Sequence, residues 1–370
     1  MKVIIAAAGT GGHINPGIAI ANKIKEKESS SEIIFIGTNR GLEKDLVPRA
    51  GYKLQTIDAH GITRKITFEN VKNIAKTLKS VGKAKKIIKE FKPDIVIGTG
   101  GYICGPVIYA AHSLKIPTML HESNAFPGIA VKMFAKKVNA VLVGFEDAIK
   151  RIPKAKKIIL TGTPTKIQDL NLSEVQKNAI KESLGFTTNL PLVLVVGGSQ
   201  GAKAINETLI DIIKSQKIDY QIIWAAGPKQ YEGIKEELTK SNINIDKIEN
   251  IKVVPYIYNM EEIINAVDVV VARSGAMTIT EIARVGKPAI FIPFPFATEN
   301  HQEYNARVLE NKGAAKIILN KDLNSVRLQK EINDIIQSKD KQIEMGNKAK
   351  EIAIDNVEER IYNEIVKILQ

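Results

Sequence analysis

Short apolar, β-branched runs alternate along the whole chain with stretches in which apolar positions recur every three or four residues. The runs predict strands at 2–8, 32–37, 53–58, 94–98, 117–121, 139–143 and 157–160. A second series follows at 191–197, 220–225, 250–254, 267–272, 288–292 and 314–318. Strands that alternate with helical patterns in this way build parallel sheets from βαβ units. Between the two series Thr161-Gly162-Thr163-Pro164 is rich in turn formers and has no periodicity, so the chain breaks there. The expected organisation is α/β, with a first domain at 1–161 and a second at 162–350. From about Asn320 onward the pattern is helical and free of proline, and residues 351–370 are expected to form a C-terminal helix that packs back on the first domain.

Residues 67–91 form a distinct case. Phe68, Val71, Ile74, Ala75, Leu78, Val81, Ile88 and Phe91 keep an i, i+3, i+4 rhythm, while Lys72, Lys76, Lys79, Lys83 and Lys86 form an opposite stripe. The apolar stripe reads as the core face of a sheet-covering helix. The lysine stripe gives anionic headgroups a place to dock, at ~1 kcal/mol per contact near a charged surface.

Three glycine-rich turns each follow a strand-like run: Gly9-Thr10-Gly11-Gly12-His13, Gly98-Thr99-Gly100-Gly101-Tyr102 and Gly197-Gly198-Ser199-Gln200-Gly201. A strand that ends in glycines and opens a helix presents bare backbone N–H groups and the positive end of the helix dipole, so each turn is expected to receive an oxyanion or a sugar. Two turns in the first half and one in the second point to two domains that face one cleft. The dinucleotide-binding pattern requires glycine at the sixth position, where this chain has Ile14, and no glycine turn runs into the Gly-Lys-Ser or Gly-Lys-Thr of a P-loop.

Composition narrows the partners. The net charge of +13 is segregated: residues 1–160 carry 27 lysines and arginines against 12 aspartates and glutamates, and residues 161–370 carry 26 against 28. That asymmetry points to an anionic partner for the first half. Of the basic residues 44 are lysine and 9 arginine, whereas base-reading surfaces rely on arginine forks and stacked aromatics, so a membrane surface is expected and nucleic acid is not. Cys104 is the only cysteine, which fits a reducing compartment. The apolar start at Val3 to Ala8 breaks at Gly9 and reads as a buried strand, and no run reaches the ~18 apolar residues that span a bilayer.

Three segments carry candidate chemistry. His13 projects from the carboxyl edge of the first strand, where open α/β sheets bind ligands. His121-Glu122-Ser123-Asn124 lies at another carboxyl edge, so Glu122 and Asn124 are expected to face the same cleft. Glu122 can act as a base or orient a histidine that does; the alternative for this segment is local loop hydrogen bonding, which suits Ser123 as well as a cleft role and Asn124 less. In the second half, Arg273-Ser274-Gly275 leads into a helix that opens with Ala276, Met277 and Thr278. Glu281 on that helix is placed to accept two hydrogen bonds from a ribose diol. No histidine pair, cysteine pair or Asp-x-Asp sequence provides a metal site, so no metal is expected.

With Pro16-Gly17, Gly105-Pro106, His301-Gln302 and Asn305-Ala306 added to these motifs, the chain resembles the MurG family. Its members are the bacterial glycosyltransferases that add N-acetylglucosamine to the undecaprenyl-linked muramoyl-pentapeptide precursor of peptidoglycan. The resemblance runs the whole length and implies the GT-B fold, two Rossmann-like domains with the active site in the cleft between them. It further implies UDP-N-acetylglucosamine as donor, with Ile257 near the uracil, Glu281 on the ribose, and Ser199, Ala276, Met277 and Thr278 on the diphosphate. Thr10, Gly11, Gly12, Asn124 and Gln302 would surround the sugar and phosphates, and Lys166 would contact the nucleotide. The lipid acceptor would reach His13 and Glu122 from the first domain, at the cytoplasmic face of the membrane. The transfer would invert the anomeric carbon with a single base. An imidazole that titrates near neutrality favours His13 over Glu122 in that role. Two positions depart from the family pattern: Lys166 stands where an arginine is usual and lacks its planar fork, and Ser123 stands where glutamine is usual. The alternatives are a diacylglycerol glycosyltransferase or a UDP-N-acetylglucosamine 2-epimerase, which would share fold and donor site, and a non-catalytic nucleotide-sugar sensor.

Overall fold

The computed structural model describes residues 1–59, 68–215 and 218–370, and within 68–78 the backbone only. The chain divides into two compact units, Met1–Thr165 together with Ile354–Gln370, and Lys166–Ala353.

The first unit opens with β1 (Lys2–Ala7), α1 (Gly11–Lys27), β2 (Glu32–Gly37), α2 (Glu43–Arg49) and β3 (Lys53–Thr56). It continues through α3 (Phe68–Phe91), β4 (Ile95–Gly100), α4 (Cys104–Ser113), β5 (Thr118–Glu122), α5 (Ile129–Phe134), β6 (Ala140–Val143) and β7 (Ile158–Leu160). The seven strands make one parallel sheet in the order β3-β2-β1-β4-β5-β6-β7. Strand side chains alternate between faces, so each run feeds two cores. Ile4, Ala6, Val96, Leu120 and Val141 pack with Ala84, Ile88, Val107 and Phe134 from α3, α4 and α5. Val3, Ile5, Ile97, Met119 and Leu142 pack on the other face with Ile14, Ile18 and Ala21 of α1. Each fully buried isoleucine or valine contributes roughly 1.5–3 kcal/mol, which explains why runs this apolar form the centre of the sheet. Helix α1 lies close on that sheet because residue 17 is glycine. A Cβ there would meet Ile5 and Thr99 at 3.1 Å and Phe35 at 3.2 Å.

Helix α3 begins one residue inside its expected span. Ala84 and Ile88 are buried on it while Lys79, Lys83 and Lys86 are exposed, and Lys86 pairs with Glu90 at 3.8 Å. The expected members of both stripes from Phe68 to Leu78, Lys72 and Lys76 among them, lie outside the described side chains.

In the second unit the elements are α6 (Glu174–Ser183), β8 (Leu192–Val196), α7 (Lys203–Ser215), β9 (Gln221–Ala225), α8 (Tyr231–Lys240), β10 (Ile251–Val254), α9 (Met260–Ala266) and β11 (Val269–Ala272). They continue with α10 (Ala276–Val285), β12 (Ala289–Phe291), α11 (His301–Asn311), β13 (Ala315–Ile317), α12 (Ser325–Ile336) and α13 (Lys339–Lys350). The parallel sheet runs β10-β9-β8-β11-β12-β13. The chain then returns to the first unit as α14 (Val357–Leu369), whose Ile361 and Ile365 join the core under α1. Lys157 reaches Glu364 at 2.7 Å and Tyr362 donates to Glu28 at 2.9 Å, so the return helix is fixed by charge as well as by apolar contact.

In both sheets the strand order reverses direction once, between β1 and β4 and between β8 and β11. At such a switch point the loops leave to opposite sides and open a crevice beyond the carboxyl ends of the strands, which is where open α/β sheets take ligands.

Candidate active site

The first-unit switch point brings two of the glycine turns together. Ala7 is in register with Gly100, so the turn after β1 and the turn after β4 leave the sheet side by side. Gly9 has φ +98 and Thr10 is the extended N-cap of α1, its hydroxyl not used to cap the helix. The backbone of His13 donates to Thr10 O at 3.0 Å, and its carbonyl accepts from the Thr99 hydroxyl at 2.8 Å. The half-buried imidazole lies directly over Gly100, whose φ is +130, and a methyl built on that glycine would overlap the ring. A methyl on Gly101, at φ +80, would overlap the Ala8 carbonyl. These two glycines therefore let the turns nest and seat His13 at the carboxyl edge, with Gly11 and Gly12 in the first turn of α1 beneath it.

Two backbone donors that the sequence left open are engaged internally. The Gly9 N–H donates to the buried Glu43 carboxylate at 2.9 Å, and the Gly100 N–H to the Cys104 sulfur at 3.2 Å. The expectation of bare N–H groups at every glycine turn is thus corrected at these positions, because side chains from α2 and α4 reach them first. Burial pushes the Cys104 thiol up to about 12, so it stays protonated and unreactive.

Glu122 is the last residue of β5, two strands from β1, or ~10 Å across the sheet at the usual strand spacing. Its side chain is buried. One carboxylate oxygen accepts from the Asn124 backbone N–H at 2.9 Å and side-chain amide at 3.0 Å, and the other from the Gly128 N–H at 2.7 Å. Burial holds its pKa above the ordinary carboxylate value, against the pull of those donors and of Lys132. This geometry fixes Asn124 and the start of α5, a loop-organising task that the sequence did not reveal. His121 points into the core. Its Nε2 lies 3.0 Å from the Gly162 carbonyl, which assigns the proton to Nε2, and the Ser123 hydroxyl approaches Nδ1 at 3.4 Å.

Beyond the second sheet, β8 ends in a turn with Gly198 at φ +86 and Gly201 at φ +74, closed by the Gly201 N–H on Gly198 O at 2.9 Å, with Ser199 exposed at its tip. A polar network missed from sequence, buried at its Trp224 end and open at Gln200, supports it. Trp224 donates to Asn206 at 3.0 Å, Asn206 to Gln230 and to Ala226 O at 2.9 Å, and Gln230 to Gln200 O at 3.2 Å.

Next to it, β11 leads through Arg273-Ser274-Gly275 into α10. Gly275 caps that helix with extended backbone and no side chain, so the first N–H groups of Ala276, Met277 and Thr278 are not satisfied by a cap. The Ser274 hydroxyl is fully buried beside them and finds no hydrogen-bond partner among the described residues. Asn305 of α11 holds the Ser274 carbonyl at 3.2 Å, and Gln302 accepts from the Phe294 N–H at 2.9 Å, which ties α11 to the turns after β11 and β12. Met277 and Thr278 stand four and three residues before Glu281, so each neighbours Glu281 on the surface of α10. Ile257 is buried after β10 between the exposed Tyr256 and Tyr258. Lys166, by contrast, is exposed on the segment that enters the unit, and no described hydrogen bond ties it to these turns. Among the described residues no three His, Cys, Asp or Glu side chains gather to hold a metal ion.

Residues 3–143 match the glycosyltransferase family 28 N-terminal domain, and residues 192–361 match the C-terminal domain of the same family. An enzyme of Caldanaerobacter subterraneus subsp. tengcongensis is 44% identical over 85% of this chain and 85% of its own length. One of Ruminiclostridium cellulolyticum is 45% identical, again over 85% of each. Both are named UDP-N-acetylglucosamine–N-acetylmuramyl-(pentapeptide) pyrophosphoryl-undecaprenol N-acetylglucosamine transferase. The chain belongs to the MurG family of glycosyltransferases. The crystal structure of Acinetobacter baumannii MurG superposes with a TM-score of 0.79 at 28% identity, covering 99% of both chains. MurG-family membership fixes the GT-B architecture and the enzyme class, and it disfavours the diacylglycerol transferase and epimerase alternatives.

Proposed function

We propose that this enzyme transfers N-acetylglucosamine from UDP-N-acetylglucosamine to undecaprenyl-diphosphate-linked N-acetylmuramoyl-pentapeptide, with inversion and without a metal ion. The observation that carries the catalytic half of this reading is the seating of His13 over Gly100 at the first switch point. The acceptor hydroxyl loses its proton to the His13 imidazole while its oxygen bonds the anomeric carbon. The bond from that carbon to the diphosphate breaks, and UDP leaves with the electron pair. Glu122, saturated by donors from its own loop, positions Asn124 rather than taking the proton.

UDP is held on the second unit. The uncapped start of α10, the Ser199 turn and the helix dipole meet the diphosphate charge, Glu281 meets the ribose and Ile257 the uracil. Thr10, Gly11, Gly12, Asn124 and Gln302 serve the sugar and phosphates, and Lys166 is a weaker contact to the nucleotide.

The enzyme works as a peripheral protein on the cytoplasmic face of the membrane and does not bind nucleic acid. Among the described residues no helix is long and apolar enough to cross a bilayer. Tyr109, Ile129 and Met133 form an exposed apolar group, 39–61% accessible, beside Lys132, Lys136 and Lys137, and this face supports contact with an anionic surface.

The test is UDP release by purified protein given UDP-N-acetylglucosamine, with and without a short-chain lipid-linked muramoyl-pentapeptide, in EDTA. Release that depends on the acceptor is expected; none, or release without acceptor, rejects the reading. His13→Ala is expected to lower kcat ~10²–10⁴-fold at unchanged stability. If His13→Ala stays active while Glu122→Gln is folded, binds donor and is dead, the two roles are reversed.

A further inference from the structure

Glu43 is a fully buried carboxylate, and no ion pair to it is found among the described residues. It stands at the first position of α2, where a glutamate is ordinarily a solvent-facing partner of the helix dipole. Here it is turned inward. One oxygen accepts from the Gly9 N–H at 2.9 Å; the other accepts from the Thr38 N–H at 3.0 Å and the Thr38 hydroxyl at 2.5 Å. Burial pushes its pKa up, and the donors on Thr38 and Gly9 more than reverse that, leaving it below the ordinary value and ionised. The chain is cut to admit it. A Cβ on Gly37 would lie 2.8 Å from its Cγ, and one on Gly41 would overlap the carboxylate itself. The Leu42 N–H adds a bond to the Gly9 carbonyl at 3.3 Å, so both sides of the Gly9 peptide region are held from the α2 start.

Gly9 is the hinge on which the His13 turn hangs. Its φ of +98 sets the direction in which the chain leaves β1, and the next residue is already the N-cap of α1. A buried carboxylate accepting three charge-assisted hydrogen bonds is a rigid anchor, and a catalytic group is useful only when its support fixes it within a fraction of an ångström. We infer that Glu43 is a positioning residue for catalysis: by clamping Gly9 to Thr38 it sets where Thr10 to His13 stand at the switch point. This rests on the proposed transferase reading for its activity readout, whereas the clamp itself does not.

The carboxylate is tested with Glu43→Gln, whose amide N–H groups would face the N–H of Gly9 or Thr38. Val47→Ala serves as the control: Val47 is buried on the same helix, and its loss opens a cavity without touching the carboxylate. The expected result is a kcat for Glu43→Gln about 100-fold below wild type, with UDP affinity on the second unit within about two-fold, while Val47→Ala keeps most of its kcat even where its melting temperature falls as far. Equal loss of kcat in both variants at equal destabilisation, or full kcat in a folded Glu43→Gln, overturns the inference. If Glu43→Gln does not fold, Thr38→Val, which removes one donor and leaves the carboxylate, is expected to lose kcat several-fold, and an unchanged kcat overturns it likewise. Hydrogen exchange at the Gly9 amide reports the clamp directly. It is expected to be slow in wild type and fast in Glu43→Gln, even if wild type were to show no transferase activity and the functional reading fell instead.

Discussion

Burial decides the chemistry of His121 more firmly than its place beside Glu122 in the sequence does. The imidazole gives its one proton to the Gly162 carbonyl and sits among β5, β6 and the Ser123 loop, where desolvation pushes its pKa down to about 4. An unfolded histidine titrates near 6.5, so between pH ~6.5 and 4 the unfolded chain binds a proton that the folded chain refuses. The stabilisation that depends on a neutral His121 is therefore complete above that window and is lost as pH falls through it, at ~1.4 kcal/mol per unit of pKa difference, or about 3 kcal/mol in all. Glu122, with its pKa raised by burial, shifts stability the opposite way, so the comparison must isolate the histidine. His121→Gln keeps an N–H donor for Gly162 and cannot titrate. Its urea midpoint, followed by circular dichroism, is expected to fall less than that of wild type between pH 7 and 4.5. Identical slopes would show that His121 does not titrate abnormally.

At the scale of elements, the apolar runs foretold the strands because a strand covered on both faces has to be apolar throughout, and among the described residues the thirteen runs correspond to the thirteen strands of the two sheets. The glycine turns were legible as turns for the same local reason: φ values near +90 at Gly9, Gly198 and Gly201 admit little else. What the turns touch was not legible. Glu43 lies 34 positions from Gly9, and Gln230 and Asn206 lie 24 apart, so no local pattern announces either network. A glutamate at a helix start looks the same in sequence whether it faces water or the backbone of the turn that carries His13. Gly100 shows the gap between the two kinds of knowledge. Sequence marks it as a turn residue, while the structure adds that the His13 ring occupies the space of its missing side chain. Gly100→Ala is thus expected to act twice. At φ +130 the methyl introduces backbone strain of about 1–3 kcal/mol, and it displaces the imidazole, lowering kcat by ~100-fold. Affinity for UDP, measured by calorimetry, is expected to stay within about two-fold. A variant with normal kcat would remove His13 from the reacting centre.

For the molecule as a whole, the segregated charge becomes meaningful once the exposed apolar side chains are located. Residues 1–160 hold the basic excess, and in that unit Met133, at 61% exposure, and Tyr109, at 44%, stand out on α5 and α4 where a soluble surface would be polar. Lys137 lies 5.5 Å from the centre of the Tyr109 ring, and Lys132 and Lys136 flank Met133 in the sequence of α5 and the turn after it, so positive charge stands next to these apolar side chains. On the proposed peripheral reading, such a surface would insert a few side chains between headgroups and hold them there by charge, each lysine adding ~1 kcal/mol against an anionic leaflet. The lysines of α3 add to the field less than their number implies, since Lys86 is already paired with Glu90. Binding is therefore expected to need both components. Co-sedimentation with vesicles of phosphatidylcholine and phosphatidylglycerol should retain the protein, and vesicles of phosphatidylcholine alone should not. Raising the salt should release it, because exposed charges are screened over roughly 10 Å at 0.1 M ionic strength and over about 3 Å at 1 M. Replacing Lys132, Lys136 and Lys137 together by glutamine is expected to weaken binding to the anionic vesicles by more than ten-fold, and Met133→Asp to weaken it even at low salt. Equal retention by neutral vesicles, or binding that ignores salt, would leave the charge of the first unit without the role given to it here.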